Sequence, residues 1–292
     1  MSVDHFHTLG ETLQANELFI EPGGKAYNQA VAAHRLGVKS YFFGALGDDA
    51  AGKRCNDFLK QEGVIPVLEI LPKYNTAYAC ILTDQRGENR VTVSRGAAQH
   101  LSADFIYSHE EEIQCCTHMI LGLECPIEVV CAALELCHKH GVYTIFNPAP
   151  ALPLNLDFLH QFDLITPNKQ EASVLLKLQE DAPLETLVNA LQNAGFQQAV
   201  VTLGSQGSLL IENGTAYLYP AHEVIALDTT GAGDTFNAAL AVSLSLGRTL
   251  HEAVVYATSA SAWSVERKHV MESLPTKEDL SELIATLKPI KL

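Results

Sequence analysis

Positive charge is scarce in this chain: 19 Lys and Arg stand against 34 Asp and Glu, a formal net charge of −15 over 292 residues. That balance excludes a general binder of nucleic acid or of an anionic membrane, because either polyanion would be repelled. It leaves room for a phosphorylated small molecule, which backbone N–H groups hold without net positive charge. Long apolar runs are missing, so no membrane span is expected. The opening MSVDHFHTLGE has neither the basic nor the apolar segment of a signal peptide. The seven cysteines include no CxxC pair and read as reduced, mostly buried thiols of a cytoplasmic protein. Repeats, low-complexity tracts and long linkers are absent as well. What remains is a chain that is 47% hydrophobic and 18% charged, long enough for one large α/β domain or two smaller ones.

Short apolar runs alternate with amphipathic stretches. NQAVAAHRLG predicts a helix ending at Gly37, KSYFFGAL a strand, and AGKRCNDFLKQEG a helix closed by Gly63. Then the pattern changes. Residues 64–71, TAYACILTD and NRVTVSR read as strands with no helices between them, DQRGEN forming a turn, and together predict an antiparallel subregion or lid. Alternation resumes with the strands THMILGL, VYTIFN, DLITPN and QQAVVTLG, helices between and after them, and a helical stretch from Thr235 to Leu287. Parallel strands covered by helices on both faces are the economical architecture. In such sheets ligands bind beyond the carboxyl ends of the strands, where NPAP, PNKQE and GSQG fall.

Among the motifs, GDDAAGKR has the spacing of a P-loop through Lys53, but Arg54 stands where a magnesium-binding hydroxyl is needed, so a capped helix start is the better reading. DTTGAGDTF, from Asp228 to Phe236, makes the stronger case. Small residues before an apolar helix direct free N–H groups and the helix dipole at an incoming anion near Ala232 and Gly233. Asp234 beside that anion is either a base for a nucleophilic hydroxyl or a first-turn acid of an ordinary helix. PGGKAYNQA places Gly23 and Gly24 before a helix, with Lys25 and Asn28 following; it is a Gly turn with an N-cap, or a loop for a polyol. PNKQE sets Asn168 and Glu171 on one face of a helix start, as a helix cap or as organisers of hydrated magnesium.

In their order along the chain these loops resemble the ribokinase-like sugar kinases, the family that also holds bacterial fructokinases and adenosine kinases. GGKAYNQAVAAHRLG looks like its first signature and DTTGAGDTF like its second; LGLECP, NPAPA, ITPNKQEA, TLGSQG and VERK look most similar to its ribose-phosphorylating branch. The resemblance runs from about Gly10 to the C-terminal region. It implies a three-layer α/β/α sandwich forming a single domain over 1–292, with a small β-sheet lid near 10–22 and 64–96 that often mediates a homodimer. The implied reaction is MgATP-dependent phosphorylation of the 5-hydroxyl of D-ribose. By that likeness Asp234 is the base and Ala232–Gly233 the anion hole. The sugar loop is Gly23, Gly24, Lys25 and Asn28, with Glu124 as acidic sugar contact. The nucleotide contacts are Asn168, the loop of Thr202, Leu203, Gly204, Ser205, Gln206 and Gly207, and Thr258. The Asn168–Glu171 pair is linked to magnesium. A monovalent-cation site, usually potassium, involves Asp228, Thr230, Ser264, Arg267, His269 and Ser273, partly through carbonyls. The chain departs from the family pattern at three places. Ala26 and Tyr27 replace smaller residues, a change expected to narrow the sugar pocket or to reorient the lid. His269 replaces a glycine, which bears on the geometry of the cation loop. The apolar strand ending in Asn-x-Asp that precedes the HFHTLGETL region in relatives has no counterpart here, and a gap in the sheet is expected unless another segment or chain fills it.

Overall fold

The computed structural model describes residues 1–86, 88–281 and 287–292. It opens with an irregular arm in which Ser2 bridges Glu17 and Thr83. Helix α1 (Lys25–Arg35) starts at Gly24, whose φ of 125° only glycine takes readily. Strand β1 (Tyr41–Leu46) leads to α2 (Ala50–Glu62), and β2 (Ile65–Ile70) pairs parallel with β1. The hairpin β3 (Tyr78–Thr83) and β4 (Asn89–Ser94) forms a separate antiparallel ribbon. The antiparallel reading of 64–96 is thereby corrected at its first strand, which turns back to β1; Gly87, within the proposed DQRGEN turn, lies outside the described residues.

The main sheet is built by β5 (His118–Gly122), β6 (Tyr143–Asn147), β7 (Leu164–Ile165), β8 (Gln198–Thr202), β9 (Ser208–Glu212), β10 (Thr215–Tyr219) and β11 (Ile290–Lys291), in that spatial order. Strands β5 to β8 run parallel as expected, whereas β9, β10 and β11 add antiparallel pairs, so the sheet is mixed. Helices α3 (Ala103–Ser108), α4 (Glu110–Gln114), α5 (Ile127–His140), α6 (Leu156–Leu159), α7 (Lys169–Leu175) and α8 (Leu184–Asn193) contribute to the core on one face of the sheet. Helices α9 (Ala232–Ser245), α10 (Leu250–Val265) and α12 (Lys277–Leu280) contribute to the core on the other face, and α11 (Val270–Ser273) packs in a third cluster with α1. Residues 282–286 of the expected C-terminal helical stretch fall outside the described residues.

The core has two sides because the buried strands alternate their side chains. Leu121, Phe146, Ile165 and Val201 join α5, α7 and α8 in one cluster; Ile145, Leu164, Val200 and Leu210 join α9 and α10 in the other. Among the described residues β1 pairs only with β2 and β5 only with β6, so the two sheets present unpaired edges and no strand lies between them. One further expectation needs correction. The cysteines are all free, but only Cys137 is buried, while Cys115 and Cys131 are exposed. The P-loop look-alike is the helix cap that its sequence predicts, Asp49 accepting the N–H of Gly52 at 2.7 Å.

Candidate active site

The chemistry-bearing loops converge at the start of α9. Gly231 takes φ +80°, a turn that lets the chain enter the helix, and a Cβ added at Gly233 would meet no atom within 4 Å, so the helix entrance is open. Asp234, in the first turn, is buried. It is held from α1: Asn28 donates its Nδ2 to Oδ2 at 2.8 Å and Gln29 donates its Nε2 to Oδ1 at 3.3 Å. Gln29 also reaches Asn147 Oδ1 at the end of β6, and Asn147 donates to the Thr166 carbonyl after β7. Burial is the main cause that pushes the Asp234 carboxyl up to about 6; the Lys25 charge and the Asn28 bond pull the other way. Asn28 Oδ1 is buried without a hydrogen-bond partner, 3.5 Å from where a Cβ of Gly23 would stand. That orphaned acceptor fits a hydroxyl donor such as a sugar carries.

Glu124, just past β5, accepts the Lys25 N–H at 2.7 Å, and a Cβ on Gly24 would lie 3.6 Å from its Oε2. Gly23, Gly24, Lys25, Asn28, Glu124 and Asp234 thus form one neighbourhood. Tyr27 is not part of it. Its hydroxyl donates to the Cys55 carbonyl in α2 and its ring meets Phe42 edge-on, so the expected narrowing of the pocket is corrected.

Asn168 caps α7 and exchanges bonds with Glu171: the Glu171 N–H reaches Asn168 Oδ1 and the Asn168 N–H reaches Glu171 Oε2, each at 2.8 Å. Burial raises the Glu171 carboxyl, and the Lys25 charge opposes that shift, which ties this pair to the Asp234 neighbourhood. Asn168 bridges Thr202, placing it against the turn that holds Leu203, Gly204, Ser205, Gln206 and Gly207. The Leu203 N–H closes that turn onto the Gly207 carbonyl at 2.8 Å. Thr258, buried in α10, lies 3.4 Å from the hydroxyl of Ser208. Among the described residues no group of three or more His, Cys, Asp or Glu side chains could hold a metal by itself.

The residues of the proposed cation loop also gather. Asp228 Oδ1 accepts the Thr230 N–H, and the N–H of Asp228 reaches the Val265 carbonyl beside Ser264. Arg267 lies over the Trp263 ring and donates to its carbonyl. His269 keeps a positive φ of 66° despite its side chain, and its carbonyl accepts the Ser273 N–H. Sequence reasoning passed over Gln29 and Asn147, although Gln29 adjoins Asn28 and Asn147 opens the NPAP loop. Nothing in the one-dimensional pattern marked Glu21, which contacts α11 across the fold.

The sequence pattern of the pfkB family carbohydrate kinases matches residues 2–277. The chain is 38% identical to the ribokinase of Schizosaccharomyces pombe over 266 residues, 87% of this chain and 83% of that one. Its fold matches the crystal structure of Thermotoga maritima ribokinase with a TM-score of 0.86 at 31% identity, covering 97% of this chain and 94% of that one. Arabidopsis thaliana ribokinase, solved in complex with ribose and ATP, gives 0.85 at 27% identity with the same coverage. With its buried acid at a helix entrance and an α/β fold to match, the chain belongs to the pfkB family of carbohydrate kinases.

Proposed function

We propose that this chain transfers the terminal phosphoryl group of ATP to the 5-hydroxyl of D-ribose, giving D-ribose 5-phosphate and ADP. The observation that carries the reading is the Asn28–Asp234 contact, a buried carboxylate in the first turn of α9 beside an unpartnered acceptor. The ribokinase identity of the yeast relative and the ribose and ATP in the Arabidopsis structure support the choice of substrates.

Asp234, ionised above about pH 6, takes the proton of the attacking hydroxyl as the new O–P bond forms and the bond from phosphorus to the ADP oxygen breaks. The backbone N–H groups of Ala232 and Gly233, at the positive end of α9, receive the charge on the transferring group. Gly23, Gly24, Lys25, Asn28 and Glu124 orient the sugar. Asn168, the Thr202–Gly207 turn and Thr258 hold the nucleotide. Magnesium, when bound with the phosphates, supplies charge neutralisation. Asn168 and Glu171 would anchor it, since hard oxygen donors suit an ion that keeps most of its waters, and a buried carboxylate gains from a cation. The oxygens of Asp228, Thr230, Ser264, His269 and Ser273, with the backbone at Arg267, would hold potassium beside the α9 entrance. The chain acts as a single kinase domain over 1–292, with 10–22 and 64–96 as its lid. The outward apolar residues Tyr78, Val91 and Val93 of the hairpin suit a homodimer formed through that lid. The −15 charge disfavours a nucleic-acid or anionic-membrane partner, and the free cysteines suit a cytoplasmic enzyme.

The test is ADP release dependent on ribose and magnesium, with the product identified by phosphorus NMR. Asp234→Asn is expected to lower kcat by about 10²–10⁴-fold; full activity in that variant overturns the assignment of the base, and no ribose turnover by the native chain overturns the substrate. The separation of β1 from β5 favours a second reading, a non-catalytic sugar- and nucleotide-binding protein. Calorimetric binding of ribose and ATP without any ADP release selects it.

A further inference from the structure

The stretch that leads into α1 is fastened to the far end of the chain at one point. The Glu21 carboxylate accepts the N–H of Val270 through Oε1 and that of Met271 through Oε2, each at 3.0 Å. Next to it the Phe19 ring stacks on the His269 imidazole, with centroids 3.7 Å apart and 23° between the planes. His269 has φ 66° and ψ 141°, a backbone conformation that disfavours any residue with a side chain, so these contacts fall on a segment that needs holding. From the opposite side Arg35, itself paired with Glu62, donates to the carbonyls of Met271 at 2.5 Å and Leu274 at 3.2 Å.

The clasp touches both halves of the site. Val270 packs on Gly231 so closely that a Cβ there would stand 2.8 Å from Val270 Cγ1, and Gly231 caps the helix that begins with Ala232, Gly233 and Asp234. In the other direction Glu21 is followed by Pro22, Gly23 and Gly24, which open α1 with its Lys25 and Asn28. One carboxylate therefore spans the two loops whose relative placement sets the 2.8 Å contact of Asn28 with Asp234. Bonds from two successive N–H groups to the two oxygens of one carboxylate are charge-assisted and directional.

We propose that Glu21 is a positioning residue that keeps the loop entering α1 and the turn entering α9 in register, acting through Val270, with the Phe19–His269 stack as the second half of the same clasp. Its kinetic consequence rests on the kinase function proposed above; its mechanical content does not. A carboxylate that merely capped α11 would stiffen 269–273 and nothing further.

Hydrogen–deuterium exchange of Glu21→Ala in segments 228–236 and 266–274 separates the two cases. Faster exchange in both segments is expected; faster exchange in 266–274 alone, with 228–236 as in the native chain, overturns the proposal. Should the Ala variant fail to fold, Phe19→Leu removes the stack at an exposed position and is read in the same way. In turnover assays, Glu21→Ala is expected to lower kcat/KM for ribose by about tenfold or more, since small misplacements of reacting groups are costly, while KM for ATP moves by less than about twofold. Glu21→Gln keeps one acceptor oxygen and is expected to recover part of the loss. If the native chain does not turn over ribose, the proposed substrate fails and the exchange result alone decides the clasp.

Discussion

Asp234 illustrates how much a single side chain carries. Burial lifts its carboxyl from 3.8 to about 6, so between those values the folded chain binds the proton more tightly than the unfolded chain does. Stability attached to this group is therefore present at low pH, falls as pH rises through that window, and is fully lost above about pH 6, a deficit of roughly 3 kcal/mol at 1.36 kcal/mol per unit. Asp234→Asn removes the charge, although its amide must face one of the donors from Asn28 and Gln29, at a cost of about 1 kcal/mol. The variant is expected to melt at a higher temperature than the native chain near pH 8, the two curves converging toward pH 4, while turnover is lost. Thermal melts across that range check the sign. With Asp234 as the proposed base, it is the ionised form that would accept the substrate proton, so kcat/KM for ribose should rise with pH and level off above an apparent pKa of about 6. The same burial that weakens the fold would thus set the proposed base near its working pH.

At the scale of elements, Tyr27 shows why a substitution in a signature loop need not alter the pocket. Its ring and hydroxyl are spent on α2 and β1, against Phe42, Phe58 and the Cys55 carbonyl. Tyr27→Phe is expected to cost about 1 kcal/mol in denaturant unfolding and to leave KM for ribose unchanged; a shifted KM returns the residue to the pocket. The helices with clear ends were legible in the sequence. Gly63 and Gly141 take left-handed conformations that stop α2 and α5, and the loops before α1, α7 and α9 showed their small residues and caps. The hairpin β9–β10 was missed although Asn213–Gly214 announces it: both residues adopt positive φ, as a two-residue turn demands. Short apolar runs do not by themselves separate strand from helix, and that ambiguity hid it. The partner of β2 was illegible for another reason, since strand pairing is decided across the fold by contacts that local periodicity does not encode. The Asp234 network was half visible: Asn28 stands in a recognisable loop, whereas Gln29 and Asn147 meet the acid only because α1 and β6 deliver them there.

On the scale of the whole molecule, two sheets share one protein. Buried Ala45 of β1 joins the same core cluster as Leu121 of β5 and Leu123 just beyond it, and α1 packs against the first turns of the site, yet the facing strands are not hydrogen-bonded to each other. The break does not separate the proposed site, because α1, which carries Asn28 and Gln29, packs against α9, which carries Asp234. The break matters more for behaviour in concentrated solution. An open strand edge offers rows of N–H and C=O groups to any other copy that meets it, and the mutual repulsion of chains carrying −15 each opposes such edge pairing. Added salt shortens the reach of that repulsion to about 3 Å at 1 M but leaves edge pairing intact. Light scattering at fixed protein concentration should therefore climb with ionic strength, and a flat response would mean the edges are shielded. Colloidal stability in this molecule is then lent by its acidity, not secured by its sheets.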